Sequence, residues 1–177
     1  NTPAASSGSV AELVFSHLFS GVRFLQDSNR KMPVSGNTEF AKLKKNYEKG
    51  IELRGKTIGI VGIGRIGQEV AKIAFGLGMN VKAADAFIEN VEITLDFPNN
   101  QSVSIPVKTE PLENVLNESD FVTLHVPAQK NGALLGKEEF AKMKDGVAVV
   151  NCARGGVIDE EALIEALASG QVSFDGI

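Results

Sequence analysis

Three glycines at fixed spacing follow an apolar run and could hold a phosphate group. Gly62, Gly64 and Gly67 form a Gly-x-Gly-x-x-Gly sequence directly after the β-rich residues 57–61. In such a turn the first glycine permits a tight strand-to-helix connection, the second lets a pyrophosphate approach the backbone, and the third lets the helix pack on the strand. The free amides at the helix start then face the phosphates. The pattern predicts a dinucleotide-binding turn.

An acidic residue ends the next predicted strand. Asp85 closes the run of residues 81–85 and lies 18 positions after Gly67. A carboxylate at this spacing accepts hydrogen bonds from ribose hydroxyls and repels a 2′-phosphate. Ala86 and Phe87 follow, so no adjacent Arg or Lys favours that phosphate. We therefore expect NAD rather than NADP. The alternative is a βαβ unit whose loop aspartate binds nothing.

A second chemically active group follows another apolar strand, residues 147–151. Arg154 stands just after it and precedes Gly155 and Gly156, which let the backbone bend sharply. Its planar guanidinium can bind a carboxylate with two parallel hydrogen bonds. The residues alone leave two interpretations open: Arg154 binds a substrate carboxylate, or it pairs with Asp159 as part of the structure.

Cys152 and His125 also follow or end apolar strands. A catalytic thiol needs a base that keeps it as the thiolate, and His125 is the only candidate. No local pattern joins the two residues, so we expect Cys152 to be packed and inert. We expect His125 to line the groove that holds the cofactor. A zinc site would need more Cys and His residues than Cys152, His125 and His17 provide, and no metal is expected.

Strands and helices alternate along the chain, which predicts an α/β fold of the Rossmann type with a doubly wound, mostly parallel sheet. Residues 88–107 interrupt that alternation with two period-two runs, which predict an inserted β-hairpin after the second strand. The predicted strands are residues 57–61, 81–85, 121–127, 147–151 and 171–177, and the predicted helices are residues 68–77, 111–116, 137–143 and 159–168.

The N-terminal residues predict a long apolar helix. It begins at Val10 with Ser9 as its cap and continues to Leu25. Phe15, Phe19 and Phe24 add a second apolar side, so we expect a subunit interface, the alternative being an ordinary core helix. Residues 31–37 contain Pro and Gly and predict a break, and residues 38–49 are polar and partly helical.

Composition limits the classes of protein. The chain has 177 residues, 43% apolar and 23% charged, which predicts a single globular domain over residues 1–177 with residues 1–32 as the interface helix. The net charge of −4 gives no sign of nucleic-acid binding. The single cysteine permits no intrachain disulfide and favours the cytoplasm. Neither a signal peptide nor a membrane-spanning run is expected.

The chain resembles the D-isomer-specific 2-hydroxyacid dehydrogenases, and within them most the D-3-phosphoglycerate dehydrogenases. The resemblance rests on the glycine turn with Asp85, on Leu-His-Val-Pro at 124–127, and on residues 151–160, which begin Asn-Cys-Ala-Arg-Gly-Gly. It implies that the amides of Arg65 and Ile66 contact the cofactor phosphates and that Asp85 holds the ribose.

The same resemblance implies the remaining contacts. Val126 and Pro127 would line the adenine and linker side, and Cys152 and Ala153 would approach the nicotinamide ribose. Arg154 would be the catalytic residue, clamping the substrate carboxylate for hydride transfer between NAD and a D-2-hydroxy acid such as 3-phosphoglycerate.

The family's substrate domain and its catalytic Glu and His have no counterpart within these 177 residues, and Asp175 stands three positions too early to be the carboxamide-binding Asp. We expect this chain alone to bind NAD weakly and to turn over no hydroxy acid, and to pair as a homodimer through its N-terminal helix. The alternative from another class is a non-catalytic NAD(H)-sensing regulator, similar to a corepressor.

Overall fold

A five-stranded parallel sheet with strand order β2-β1-β5-β6-β7 forms the centre of this computed structural model, which describes residues 6–129 and 132–176. The strands are β1 (Thr57–Val61), β2 (Asn80–Ala84), β3 (Asn90–Asp96), β4 (Ser102–Lys108), β5 (Phe121–Leu124), β6 (Val147–Asn151) and β7 (Val172–Gly176). The helices are α1 (Ser7–Val22), α2 (Leu25–Tyr47), α3 (Arg65–Gly76), α4 (Leu112–Glu118), α5 (Lys137–Lys142) and α6 (Glu160–Ser169). Residues 1–5, where the predicted interface segment begins, two residues of the loop after Pro127, and Ile177 lie outside the described residues.

Helices cover both faces of the sheet, which confirms the predicted doubly wound α/β fold. One core contains side chains of α1, α3 and the β3–β4 hairpin. The other contains side chains of α4, α5 and α6. The four residues of β5 are all buried, as expected for a central strand of a parallel sheet that is covered on both sides.

The predicted hairpin is present as an antiparallel pair, in which Ile93 lies opposite Ile105 and Val91 opposite Val107. Ile93 and Val107 are buried in the α1–α3 core, so the base of the hairpin is part of the domain. The segment that follows β4 joins the edge strand β2, because the Glu110 amide donates to the Ala83 carbonyl at 2.8 Å.

The N-terminal helix differs from the prediction. It begins at Ser7 rather than Val10, because the Val10 amide already donates to the Ser6 carbonyl at 3.0 Å, and Ser9 is therefore not its cap. It ends at Val22, because Phe24 adopts a left-handed conformation (φ 55°) that turns the chain into α2. Phe15, 3% exposed, packs into the domain's own core and is unavailable for an interface.

The predicted break at residues 31–37 is wrong, because these residues lie inside α2. Pro33 removes one backbone donor from the helix, but it and Asn29, four residues earlier, are both exposed. Water can therefore satisfy the Asn29 carbonyl, and the helix continues. The deviation from helical geometry occurs later, at Glu39 (φ −118°, ψ 18°).

Candidate cofactor site

The carboxyl ends of four strands stand side by side at one edge of the sheet. Val61 is in register with Ala84 on one side and with Leu124 on the other, and Leu124 is in register with Asn151. The next residue of each strand therefore starts a loop at the same edge: Gly62, Asp85, His125 and Cys152. The chain passes from β1 to β2 on one side and then, after the hairpin and α4, crosses back to β5 on the other side of β1. Ligands bind at such a switch point in open α/β sheets.

Two of the three glycines are required by their surroundings. Gly62 has φ +95°, and a Cβ there would lie 2.7 Å from the His125 carbonyl oxygen. A Cβ on Gly67 would collide with the Gly62 carbonyl oxygen, which is backbone and cannot rotate away. These contacts fix a tight turn and a close approach of α3 to β1, as the sequence predicts.

The third glycine leaves open space at the start of α3. Gly64 is the N-cap of this helix, and a Cβ built on it would meet no atom within 4 Å. No side chain caps the helix, and its first turn contains no acidic residue. The first amides of a helix have no intrahelical partner, so those of Arg65 and Ile66 can bind an anion here. The space, the dipole and the amides fit a pyrophosphate.

The carboxylate of Asp85 accepts three backbone hydrogen bonds. Oδ2 accepts from the Ile63 amide at 2.9 Å, and Oδ1 accepts from the amides of Phe87 at 2.9 Å and Ile88 at 3.1 Å. A carboxylate offers about four acceptor directions, so Oδ2 keeps roughly one for a ribose hydroxyl. The second ribose bond that sequence reasoning assumes must share an acceptor direction or displace an amide.

His125 lies between the glycine turn and the neighbouring strand. Its amide donates to the Val61 carbonyl at 2.7 Å, and its Nε2 forms a hydrogen bond with Thr123 Oγ1 at 3.0 Å. Nδ1 is buried without a partner among the described residues. Burial disfavours the charged ring and lowers the pKa of His125 from 6.5 to about 4. His125 is therefore neutral at physiological pH and lines the turn.

The buried neutral state of His125 makes the fold sensitive to acid. Its pKa in the folded chain is lower than in the unfolded chain, so the unfolded chain takes up the additional proton as the pH falls from about 6.5 to about 4. We expect a loss of about 3 kcal/mol in unfolding free energy over this range. Urea denaturation at several pH values measures it.

The matched variants are His125→Gln and His17→Gln, which remove the chain's two histidines one at a time. His125→Gln should flatten the loss of stability between pH 6.5 and 4, whereas His17→Gln should keep it. An unchanged slope in His125→Gln would contradict a buried neutral imidazole.

The loop after β6 is held by Asn151 and presents Arg154. Asn151 Oδ1 accepts from the Ala153 amide at 3.1 Å, and Asn151 Nδ2 donates to the Arg154 carbonyl at 3.1 Å. The Arg154 guanidinium is exposed and donates to the Ala153 carbonyl at 2.8 Å. Within the described ranges no ion pair joins it to Asp159, whose carboxylate instead caps α6 through the Ala162 amide at 3.0 Å. Arg154 is thus open to a ligand.

Cys152 is half-buried against the α1–α3 core. Burial raises the pKa of its thiol, so the neutral form predominates and the group is poorly suited to nucleophilic attack. This agrees with a packed residue that borders the site.

Sequence reasoning missed three residues of this edge. Asn151 organises the Arg154 loop, and Thr123 bonds the His125 ring. Phe87 is 95% exposed only two positions after Asp85. A signal existed for Asn151, because an Asn that precedes a loop commonly bonds the backbone two residues later; no comparable signal marks the other two.

Across residues 6–129 and 132–176, no three His, Cys, Asp or Glu side chains group as a metal ion would require. In the same part of the chain, none of the helices combines the length and the apolar character needed to cross a bilayer.

Known protein sequences are similar to this chain over nearly its whole length. Residues 15–177 match the family described as D-isomer specific 2-hydroxyacid dehydrogenase, NAD binding domain. A hydroxypyruvate reductase of Thermotoga maritima is 40% identical over 100% of this chain and 52% of its own length. A D-3-phosphoglycerate dehydrogenase of Archaeoglobus fulgidus is 40% identical over 98% of this chain and 30% of its own length. The chain thus spans about half the length of the first relative and under a third of the second.

Solved structures of dehydrogenases share the fold of this chain. The apo D-mandelate dehydrogenase of Rhodotorula graminis superposes with a TM-score of 0.80 at 28% identity, covering 97% of this chain and 48% of that one. An NAD-dependent formate dehydrogenase of Staphylococcus aureus, solved in complex with NAD, superposes with a TM-score of 0.76 at 28% identity, covering 97% of this chain and 47% of that one.

Proposed function

Since the chain belongs to the D-isomer-specific 2-hydroxyacid dehydrogenase family as an NAD-binding domain, we propose that it holds NAD for hydride transfer from a D-2-hydroxy acid, or in reverse from NADH to the corresponding 2-keto acid. The observation that carries this proposal is the alignment of Gly62, Asp85, His125 and Cys152 at one sheet edge. The named relatives are dehydrogenases and a reductase, which favours an enzyme over an NAD(H)-sensing regulator.

The residues divide the work along the edge. The first amides of α3, those of Arg65 and Ile66, hold the pyrophosphate, and Asp85 accepts a hydroxyl of the adenosine ribose. Val126 and Pro127 line the adenine and linker side. The nicotinamide, when bound, supplies or accepts the hydride.

At the other end of the cofactor, Cys152 and Ala153 border the nicotinamide ribose. Arg154, exposed and unpaired with Asp159, binds the carboxylate of the hydroxy acid and orients its C2. Asn151 acts on this contact indirectly, because it fixes the loop that carries the guanidinium.

For the substrate we propose 3-phosphoglycerate. The D-3-phosphoglycerate dehydrogenases of Archaeoglobus fulgidus and Methanocaldococcus jannaschii are 40% and 39% identical to the chain. The Thermotoga maritima reductase is equally similar, so hydroxypyruvate is the competing substrate.

The single cysteine favours a cytoplasmic enzyme.

The assay follows NADH absorbance in the complete protein that contains this chain, with 3-phosphoglycerate, glycerate and D-lactate. We expect oxidation of 3-phosphoglycerate with the highest kcat/KM. Glycerate is the reduced form of hydroxypyruvate, so faster oxidation of glycerate would assign hydroxypyruvate as the substrate instead. The absence of any NAD-linked oxidation of hydroxy acids would contradict the proposal as a whole.

Asp85→Ala is expected to change the choice of cofactor. It removes both the ribose acceptor and the charge that repels a 2′-phosphate, so NAD affinity should fall about 10–100-fold while NADP affinity falls less or rises. Calorimetric titration with both cofactors measures the ratio, in which any effect on the shared phosphate turn cancels. An unchanged NAD-to-NADP ratio would exclude Asp85 as the selecting residue.

We also propose a homodimer built around the corner between α1 and α2. Phe19 is 39% exposed, and Leu13, Phe24 and Leu25 are similarly accessible. Beside them a groove of about 680 Å³ is lined by residues of both helices, including Leu25, Met32 and Pro33. A self-complementary apolar surface closes most simply as a twofold dimer.

Phe19→Asp is expected to convert this dimer into folded monomers, because it places a charge in an apolar contact. Analytical ultracentrifugation at tens of micromolar gives the mass, and circular dichroism checks the fold. The control is Ile164→Asp, which makes the same kind of change on α6 at a position that is 65% exposed. A monomeric wild-type chain would refute the dimer.

A further inference from the structure

The carboxylate of Asp85 connects two segments that are distant in sequence. Oδ2 accepts from the amide of Ile63, in the middle of the glycine turn, and Oδ1 accepts from the amides of Phe87 and Ile88, at the start of the hairpin. Both oxygens are therefore engaged with backbone before any ligand arrives. A residue whose only role is to bind a ribose hydroxyl would need neither the contact to the glycine turn nor the contact to the hairpin.

On the turn side, Ile63 has a buried side chain, and both of its backbone polar groups are fixed. Its carbonyl accepts from Gln68 Nε2 at 3.1 Å, a residue of α3 itself. Its amide is bound by Asp85, which belongs to a different segment of the fold. The Gly62 amide also joins the turn to the sheet edge, since it donates to the Ala84 carbonyl at 2.8 Å. Asp85 adds a side-chain contact one residue further into the turn, closer to the first amides of α3.

On the hairpin side, the attachment point is held in place. The Ile88 carbonyl accepts from Thr109 Oγ1 at 2.8 Å, and the Glu110 amide donates to Ala83 at the edge of β2. Lys82 adds ion pairs to Glu110 at 3.0 Å and to Glu118 at 2.9 Å. The Phe87–Ile88 amides therefore give Asp85 a fixed frame against which to hold Ile63.

We propose that Asp85 is also a positioning residue for the phosphate-binding turn, so that recognition of a pyrophosphate depends on it even when the ligand has no ribose. This inference rests on the proposed function, since it assumes that the turn binds the cofactor phosphates. By holding Ile63, Asp85 sets the direction of the backbone that leads through Gly64 into the first amides of α3.

Electrostatics makes this role testable by sign. Asp85 carries a negative charge near the site of an anion, so removing that charge alone should leave pyrophosphate binding unchanged or make it tighter. Loss of positioning acts in the opposite direction, because the amides no longer point together. Weaker pyrophosphate binding after loss of an acidic residue is therefore a result that ribose recognition does not produce.

The experiment compares the wild-type chain with Asp85→Asn and with Asp96→Asn, an equal change of charge at the exposed end of β3. Asn keeps the size of Asp but has only one oxygen, so it cannot accept from both Ile63 and the Phe87–Ile88 pair. Amide NMR spectra are titrated with inorganic pyrophosphate and, separately, with NAD. Amide hydrogen exchange is measured without ligand.

We expect Asp85→Asn to weaken pyrophosphate binding about fivefold or more, the equivalent of one lost hydrogen bond, and to speed exchange at the Ile63 amide about tenfold. Asp96→Asn should change neither. Unchanged or tighter pyrophosphate binding, or unchanged exchange at Ile63, would overturn the positioning role. The proposed function fails differently, namely if NAD causes no shifts at residues 62–67 in the wild-type chain.

Discussion

Arg154→Lys is expected to lower kcat/KM of the complete dehydrogenase about 10²-fold while changing the Kd of NAD less than about threefold. Lysine keeps the positive charge but replaces a planar pair of donors with a point charge, so the substrate carboxylate is held without being oriented. Steady-state kinetics and NAD titration separate the two quantities. The effect should fall on kcat as well as KM, because orientation is needed at the transition state.

The matched control is Arg30→Lys, which makes the same replacement on the exposed surface of α2. It should leave both quantities unchanged. If Arg154→Lys retains wild-type kinetics, Arg154 is a structural residue and the carboxylate is bound elsewhere.

Gly67→Ala is expected to damage the fold and cofactor binding together. The new methyl group would collide with the Gly62 carbonyl oxygen, so α3 must move away from β1. Overpacking of this kind costs about 1–3 kcal/mol. In a domain of this size each kcal/mol lowers Tm by about 2–4 °C, so the expected loss is about 2–12 °C. NAD affinity should fall more than about tenfold, since the displaced helix carries the phosphate-binding amides. Calorimetry measures both quantities.

Two other glycines serve as controls for this variant. Gly76→Ala, at the last position of α3 with open space around its Cβ, should leave stability and NAD binding nearly unchanged. Gly64→Ala should keep the wild-type Tm but weaken NAD, because its Cβ meets no protein atom and would enter the pyrophosphate space. Equal Tm values for Gly67→Ala and Gly76→Ala would contradict the close approach of helix and strand.

The candidate site could be predicted from the sequence because its residues stand where apolar runs end. In a parallel sheet those ends meet at one edge, so Asp85 and Arg154 lie on the same edge although they are far apart in the chain. The parallel register places Ala84, Val61, Leu124 and Asn151 in one row, which supports that reasoning. Binding of cofactor by these residues stays a prediction.

The hydrogen bonds that organise the site could not be predicted in the same way. The contact between Asp85 and the Ile63 amide depends on the exact separation of two loops, which no local pattern records. Residues 31–37 show the reverse case, in which a strong local signal was wrong. A proline tends to end a helix where its missing hydrogen bond leaves a buried carbonyl unpaired. At Pro33 the surface of α2 is exposed, so the helix continues. Whether a helix surface is buried depends on the whole fold and not on the local sequence.

The most direct test of the account is the structure of this chain with NAD bound. We expect the pyrophosphate at the amides of Arg65 and Ile66, the adenosine ribose on Asp85, and the nicotinamide beside Cys152 and Ala153 within reach of Arg154. A cofactor bound away from the carboxyl edge of the sheet, or one whose adenosine ribose makes no contact with Asp85, would contradict it.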